Sequence, residues 1–89
     1  MVRGDIGTAI DCNMRINIST ATVLQVKYKK PSGAAGVWTG TLTGTESVRF
    51  VTILNSIDEA GYWSIQPYIE MATWKGHGRM QQVMVEDHL

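Results

Sequence analysis

The segment that decides the fold reads Ile6-Gly7-Thr8-Ala9-Ile10-Asp11-Cys12-Asn13-Met14-Arg15-Ile16-Asn17-Ile18. Its even-numbered positions are apolar apart from Thr8, and its odd-numbered positions are small or polar. This period of two indicates a β-strand with one buried face, because successive side chains of a strand point to opposite sides. At about 3.3 Å per residue the segment would span roughly 43 Å, more than the width of a small domain. We therefore expect it to bend or to pass between two sheets.

Residues 22–29 repeat the alternation, with Leu24, Val26 and Tyr28 on one face. Residues 30–36 then contain Pro31 and Gly33, which favour a turn because proline fixes φ and glycine adopts positive φ. We expect a hairpin loop there.

Further strands are expected over residues 37–42, 47–54, 61–71 and 80–86. The apolar face is formed by Trp38 and Leu42 in the first of these strands and by Val48 and Phe50 in the second. In the third it is formed by Trp63, Ile65, Ile69 and Met71, and in the fourth by Val83 and Val85. Between them we expect a polar corner with one helical turn at 55–60 and a glycine-containing turn at 74–78. Pro67 has no N–H to donate, which predicts a sheet edge or a bulge at that position.

About seven short strands with frequent turn signals are typical of a Greek-key sandwich or a small barrel. We predict an all-β fold, an immunoglobulin-like β-sandwich of about seven short antiparallel strands, as a single domain over residues 1–89. Residues 1–9 are a candidate extended N-terminal arm. Because short chains bury a smaller share of their surface, burial against a partner would add stability.

Charge and cysteine content narrow the range of functions. Eight basic residues balance eight acidic ones, and the longest like-charged run is Lys29-Lys30, so we expect no nucleic-acid and no membrane partner. Cys12 is the only cysteine, which excludes an internal disulfide. The sequence has neither the apolar core of a signal peptide nor a run of about 20 apolar residues, so we expect a soluble, unprocessed chain.

No catalytic or metal-binding pattern is present in the sequence. His77 and His88 have no cysteine near them, and a zinc site needs three or four converging ligands. No Gly-x-Ser-x-Gly motif occurs, and the neighbouring carboxylates at 58–59 and 86–87 lack the spacing of a calcium loop. We expect no enzyme activity, no metal and no cofactor, and treat the Arg3-Gly4-Asp5 tripeptide as coincidental.

Candidate interface residues are Trp74, Lys75, His77, Ile6 and Pro67. Tryptophan is enriched at interface anchors, and Trp74 lies in a glycine-flanked turn. The alternative is that Trp74 folds back to cap one end of the sandwich. Trp38 and Trp63 lie among alternating apolar residues, so we assign them to the core.

Several weak motifs in a fixed order resemble a known family. They are Asp5-x-Gly7-Thr8-x-Ile10, Ala21-Thr22, Tyr28-x-Lys30-Pro31-Ser32-Gly33 followed by Trp38, Ile57-Asp58-x-Ala60-Gly61-x-Trp63-x-Ile65-Gln66-x-Tyr68, and Trp74-x-Gly76-x-Gly78. The chain resembles the small immunoglobulin-like structural proteins of tailed bacteriophages, of the baseplate and tail-fibre adaptor type. In antibody domains the tyrosine of the corner motif precedes a buried cysteine by two residues, whereas here Ser64 follows Tyr62 and the apolar alternation runs through Trp63 and Ile65.

The resemblance implies a non-catalytic virion protein, part of a tail, baseplate or fibre attachment, that is assembled in the host cytoplasm. Its partners would be other virion structural proteins within a symmetric oligomer, joined through an arm or an open sheet edge. The alternative is a surface-displayed recognition or capsid-decoration module that binds carbohydrate or a host surface through Trp74, Lys75 and His77.

Overall fold

The computed structural model describes residues 1–88, which form eight antiparallel strands in two sheets. The strands are β1 (Ala9–Asn13), β2 (Val23–Lys29), β3 (Ala35–Thr39), β4 (Thr41–Thr43), β5 (Ser47–Val51), β6 (Gly61–Glu70), β7 (Lys75–His77) and β8 (Gln81–Val85). One sheet has the order β1-β5-β4, and the other has the order β3-β2-β6, with β7 and β8 both paired to the far side of β6. The predicted all-β class is confirmed, with one strand more than expected, and the arrangement is consistent with a β-sandwich.

The segment that decides the fold follows its predicted alternation in part, because strand β1 covers only Ala9–Asn13 and Ile6 is exposed before it. Ile10 and Cys12 are buried on β1, and Met14 and Ile18 are buried beyond it. The chain bends at Arg15, which has a φ of 60°, and it enters the other sheet at β2. Ile16 is exposed because this bend takes it out of the alternation.

An aromatic stack fills one part of the space between the sheets. The Trp38 ring lies 4.3 Å from Tyr28 and 4.4 Å from Phe50, measured between centroids, and it is stacked on both. Trp63 is fully buried beside them, 5.9 Å from Trp38, and its indole N–H donates to the carbonyl of Glu59 at 3.0 Å. Phe50 belongs to the smaller sheet and the other three rings to the larger one, so the stack joins the two layers.

The prediction of a single strand over residues 37–42 is wrong. The chain leaves β3 at Gly40 and enters β4, which belongs to the opposite sheet. A Cβ atom at Gly40 would collide with the Val48 side chain, so the crossing point has room only for glycine. Trp38 is buried as predicted, but Leu42 lies on the short β4 strand and is partly exposed.

Of the two possibilities predicted at Pro67, a sheet edge or a bulge, the sheet edge is wrong. Pro67 lies in β6, which has neighbours on both sides, and it is fully buried. Its missing N–H faces Gly78, where the neighbouring strand is interrupted between β7 and β8. The Gln66 side chain donates to the Gly78 carbonyl at 3.1 Å and so replaces the donor that Pro67 lacks.

Two connecting segments differ from their predicted form. Residues 75–77 form strand β7 instead of a turn, because they pair with Tyr68–Glu70 of β6. The corner at 55–60 connects the two sheets, as expected, but it contains turns and bends without a helix, and Ile57 is buried in it. Residues 1–8, within the candidate N-terminal arm of residues 1–9, are hydrogen-bonded to the domain through Glu86, Ile57 and Thr52.

We predict that Gly40→Ala lowers the free energy of unfolding by about 1–3 kcal/mol, because the added methyl group overpacks the crossing point. Urea unfolding of Gly40→Ala, Val48→Ala and the double variant measures this. The double variant should lose less free energy of unfolding than the two single variants lose together, because removing the Val48 methyl groups relieves the collision. Simple additivity would contradict the role given to Gly40.

We also predict that the Cys12 thiol is unreactive in the folded protein. It is 1% exposed, and its pKa is raised, chiefly by burial and secondly by the charge of Asp11. A disulfide reagent at neutral pH should therefore modify it slowly in the native state and promptly in guanidinium chloride. Rapid native labelling would show that β1 opens.

Candidate functional site

Strand β3 is an open edge of the larger sheet. It pairs with β2 on one side, and within residues 1–88 no strand pairs with its other side. Hydrogen bonds from Gly40 N–H to Leu24 C=O and from Lys30 N–H to Ala34 C=O fix the ladder at both ends. Because such bonds alternate along an antiparallel pair, the N–H and C=O groups of Ala35, Val37 and Thr39 point away from β2.

The remaining edges of the described chain are shorter, interrupted or charged. Strand β4 has three residues, and the far edge of the larger sheet is interrupted between β7 and β8. Strand β1 carries Asp11, which forms two hydrogen bonds with Arg49, at 2.7 and 3.0 Å. Strand β3 has no charged residue, no proline and no interruption, which are the usual protections of an exposed edge.

An apolar groove of about 410 Å³ runs beside this edge. Its floor includes Trp38 and Phe50 of the aromatic stack, and its rim includes the exposed side chains of Ile53 and Leu54, which are 64% and 72% accessible. The complete lining is Val37, Trp38, Thr39, Phe50, Ile53, Leu54, Asn55 and Ser56, none of which is charged. We call the β3 edge together with this groove the β3 surface.

Local hydrogen bonds hold the rim of the groove in place. Strand β5 ends at Val51, and the Ser56 hydroxyl then bonds both the N–H and the C=O of Ile53, at 2.7 and 2.8 Å. Asn55 has a φ of 66°, a left-handed conformation that asparagine tolerates better than most residues. This turn presents Ile53 and Leu54 to solvent.

The structure brings three of the five sequence-predicted interface residues together, at the opposite edge. Trp74 lies across the backbone of Gly76 and remains 39% exposed. Lys75 forms an ion pair with Glu70 at 3.4 Å, and the His77 ring lies 4.8 Å from that of Tyr68. The lysine and histidine are therefore engaged within the sheet.

The other two predicted interface residues lie apart from this group. Ile6 is 63% exposed in the segment before β1, and Pro67 is buried in the interior of the larger sheet. The Pro67 side chain is therefore inaccessible to a partner in the isolated chain.

Hydrogen-bonded ion pairs account for most of the shifted pKa values among the described residues. The Arg49 guanidinium holds the pKa of Asp11 below its usual value, and Arg3 does the same for Asp87. The pKa of Lys30 is raised by its hydrogen bond to Asp58. Each of these groups is at the surface and forms an exposed ion pair.

Residues 1–88 contain no group of three His, Cys, Asp or Glu side chains that could hold a metal ion. They also contain no helix long and apolar enough to cross a membrane. No protein-family model, no curated protein and no solved structure matches this chain.

The sequence analysis missed the β3 surface. Ile53 and Leu54 belong to the strand predicted over residues 47–54, but β5 ends at Val51 and leaves both side chains exposed. Recognising the open edge required the order of the strands, which a hydrophobic pattern does not encode.

We predict that Trp74 supplies most of the tryptophan emission that iodide can quench, because Trp38 and Trp63 are buried. Trp74→Phe should remove most of the quenchable fraction, while Trp38→Phe should leave it in place. Equal quenching of the wild type and of Trp74→Phe would contradict this assignment.

Proposed function

We propose that the chain is a non-catalytic assembly subunit that binds a second copy of itself through the β3 surface. The observation that carries the proposal is an uncharged, unprotected edge strand lying beside an uncharged apolar groove. Strand addition at such an edge supplies main-chain hydrogen bonds, and the groove adds burial of apolar side chains.

A second copy of β3 fits this edge chemically. Antiparallel pairing about a two-fold axis near Val37 would satisfy the outward N–H and C=O groups of Ala35, Val37 and Thr39 in both copies. The larger sheets of the two copies would then form one continuous sheet. Such an interface is isologous, with the same patch on both subunits, which is the commonest symmetry of homo-oligomers.

Burial of Ile53 and Leu54 provides the hydrophobic part of the association. Fully burying a large aliphatic side chain is worth about 1.5–3 kcal/mol, and a two-fold interface counts each residue twice. No charge lies in the lining, so pairing of two copies incurs no like-charge repulsion there.

The strand order supports the immunoglobulin-like form of the sandwich. The order β1-β5-β4 corresponds to strands B, E and D of an immunoglobulin domain, and β3-β2-β6-β8 corresponds to C′, C, F and G. A parallel bridge between Val2 and Glu86 lies just after β8, next to the G position. Trp63 and Ile65 face the core while Tyr62 is exposed, in keeping with the predicted departure from antibody domains.

The setting we propose is the virion of a tailed bacteriophage, as a tail, baseplate or fibre-attachment component assembled in the host cytoplasm. It rests on the sequence resemblance together with a surface suited to repeated protein contacts. Other virion structural proteins would then be further partners of the symmetric assembly.

The main-chain part of the proposal is tested by Val37→Pro, with Val37→Thr as the matched control. Proline removes an N–H that points away from β2, so it costs no bond of the existing ladder. Sedimentation equilibrium should show a dimer for the wild type and for Val37→Thr. For Val37→Pro we expect the dimer affinity to fall by at least tenfold, with an unchanged circular dichroism spectrum.

The groove is tested by Leu54→Asp, with Ile6→Asp as the control. Both residues are similarly exposed, but only Leu54 borders the groove. Leu54→Asp should abolish the dimer and Ile6→Asp should leave it. A monomeric wild type at millimolar concentration, or a dimer lost in Ile6→Asp only, would overturn the proposal.

A further inference from the structure

The outer face of the larger sheet carries two lysines without acidic partners. Lys27 and Lys29 point to the same side of β2, because they are two residues apart on a strand. Their cross-strand neighbours on β6 are Gln66 and Ser64, and those on β3 are Val37 and Ala35, all uncharged. Neither lysine therefore has an acidic residue as a direct cross-strand neighbour.

Four of the eight basic residues form ion pairs within residues 1–88, and Lys27 and Lys29 are among the four that do not. Arg3, Lys30, Arg49 and Lys75 each form an ion pair with a carboxylate. Among the described residues, Lys27, Lys29, Arg15 and Arg79 form none, and of these four only Lys27 and Lys29 line a common groove. Glu70, on the same sheet, is engaged by Lys75 and by the Tyr68 hydroxyl.

Lys27 is held in position before any ligand arrives. Its ammonium group, which can only donate, lies 3.1 Å from Nε2 of His77. The same group lies 4.4 Å from the centroid of the Tyr68 ring, in a cation–π contact. Two of its three donor positions remain for other acceptors.

A groove of about 320 Å³ lies beside the two lysines. It is lined by Lys27, Tyr28, Lys29, Ser64, Gln66 and Met80, a mixture of cationic, hydroxyl, amide and apolar groups. The Gln66 amide nitrogen is committed to the Gly78 carbonyl, so its oxygen is the group left to accept a hydrogen bond. The volume lies at the small end of the range of ligand sites.

We propose that this groove binds a monosaccharide-sized ligand bearing one anionic group, a carboxylate or a sulfate ester. The anion would lie between the Lys27 and Lys29 ammonium groups. Ligand hydroxyls would donate to Gln66 and exchange hydrogen bonds with Ser64, and the apolar face of the ring would contact Met80. The site lies on the sheet face and is independent of dimer formation at the β3 edge.

The experiment is an amide-resolved NMR titration of the full chain at constant ionic strength. The probes are glucuronate, glucose 6-sulfate, neutral glucose and inorganic sulfate. We expect saturable shifts at residues 27–29, 64–66 and 80 with one or both sugar acids, and at least tenfold weaker binding of glucose and of inorganic sulfate. Comparing the affinities of glucuronate and glucose 6-sulfate shows whether the groove prefers a carboxylate or a sulfate ester.

The variant Lys27→Gln/Lys29→Gln should weaken binding of the sugar acid by at least tenfold. Arg15→Gln is the matched control, because it removes an unpaired positive charge outside the groove. Three outcomes would overturn the proposal: unchanged affinity of the double variant, equal loss in Arg15→Gln, or glucose or inorganic sulfate binding as tightly as the sugar acids. Because Val37→Pro tests the dimer separately, failure of one proposal leaves the other intact.

Discussion

The stacking of Trp38 on Phe50 is the contact on which the rest of the fold depends. These two rings come from different sheets, lie 4.4 Å apart and are within 8° of parallel. They fix the separation of the layers where β3 leaves its sheet, and Tyr28 and Trp63 continue the aromatic cluster into the core. A chain of 89 residues has few large side chains to bury, so placing four rings together accounts for much of its core.

The same stack explains why the interior is continuous with the surface at β3. Trp38 is buried on one side by its aromatic neighbours and on the other borders the apolar groove. The rings that hold the sheets together thus also form the floor of the candidate interface. Core and interface share side chains here, and a change at Phe50 would affect both.

Local alternation predicted most of the core but not the sheet to which each strand belongs. The inward-facing residues of β1, β2, β5 and β6 follow the period-two pattern because each strand packs one face against the core. The pattern of residues 37–42 predicts one strand. The chain changes sheets at Gly40 because Val48, from another part of the chain, packs closely there, and a local pattern does not reveal that contact. Residues 74–78 read as a turn because of their glycines, and pairing with β6 overrides that local preference. The β3 surface and the lysine groove were both missed for the same reason, because each is formed by strands distant in sequence.

The crossing at Gly40 has a mechanical consequence for any assembly joined along β3. Two residues after Trp38 the chain leaves the sheet that carries this edge, and β4 then pairs with β5 in the opposite layer. Tension applied by a neighbouring subunit would travel through the covalent backbone into the far sheet within a few residues. Both layers would then share the load, and the edge strand would resist being stripped away one hydrogen bond at a time.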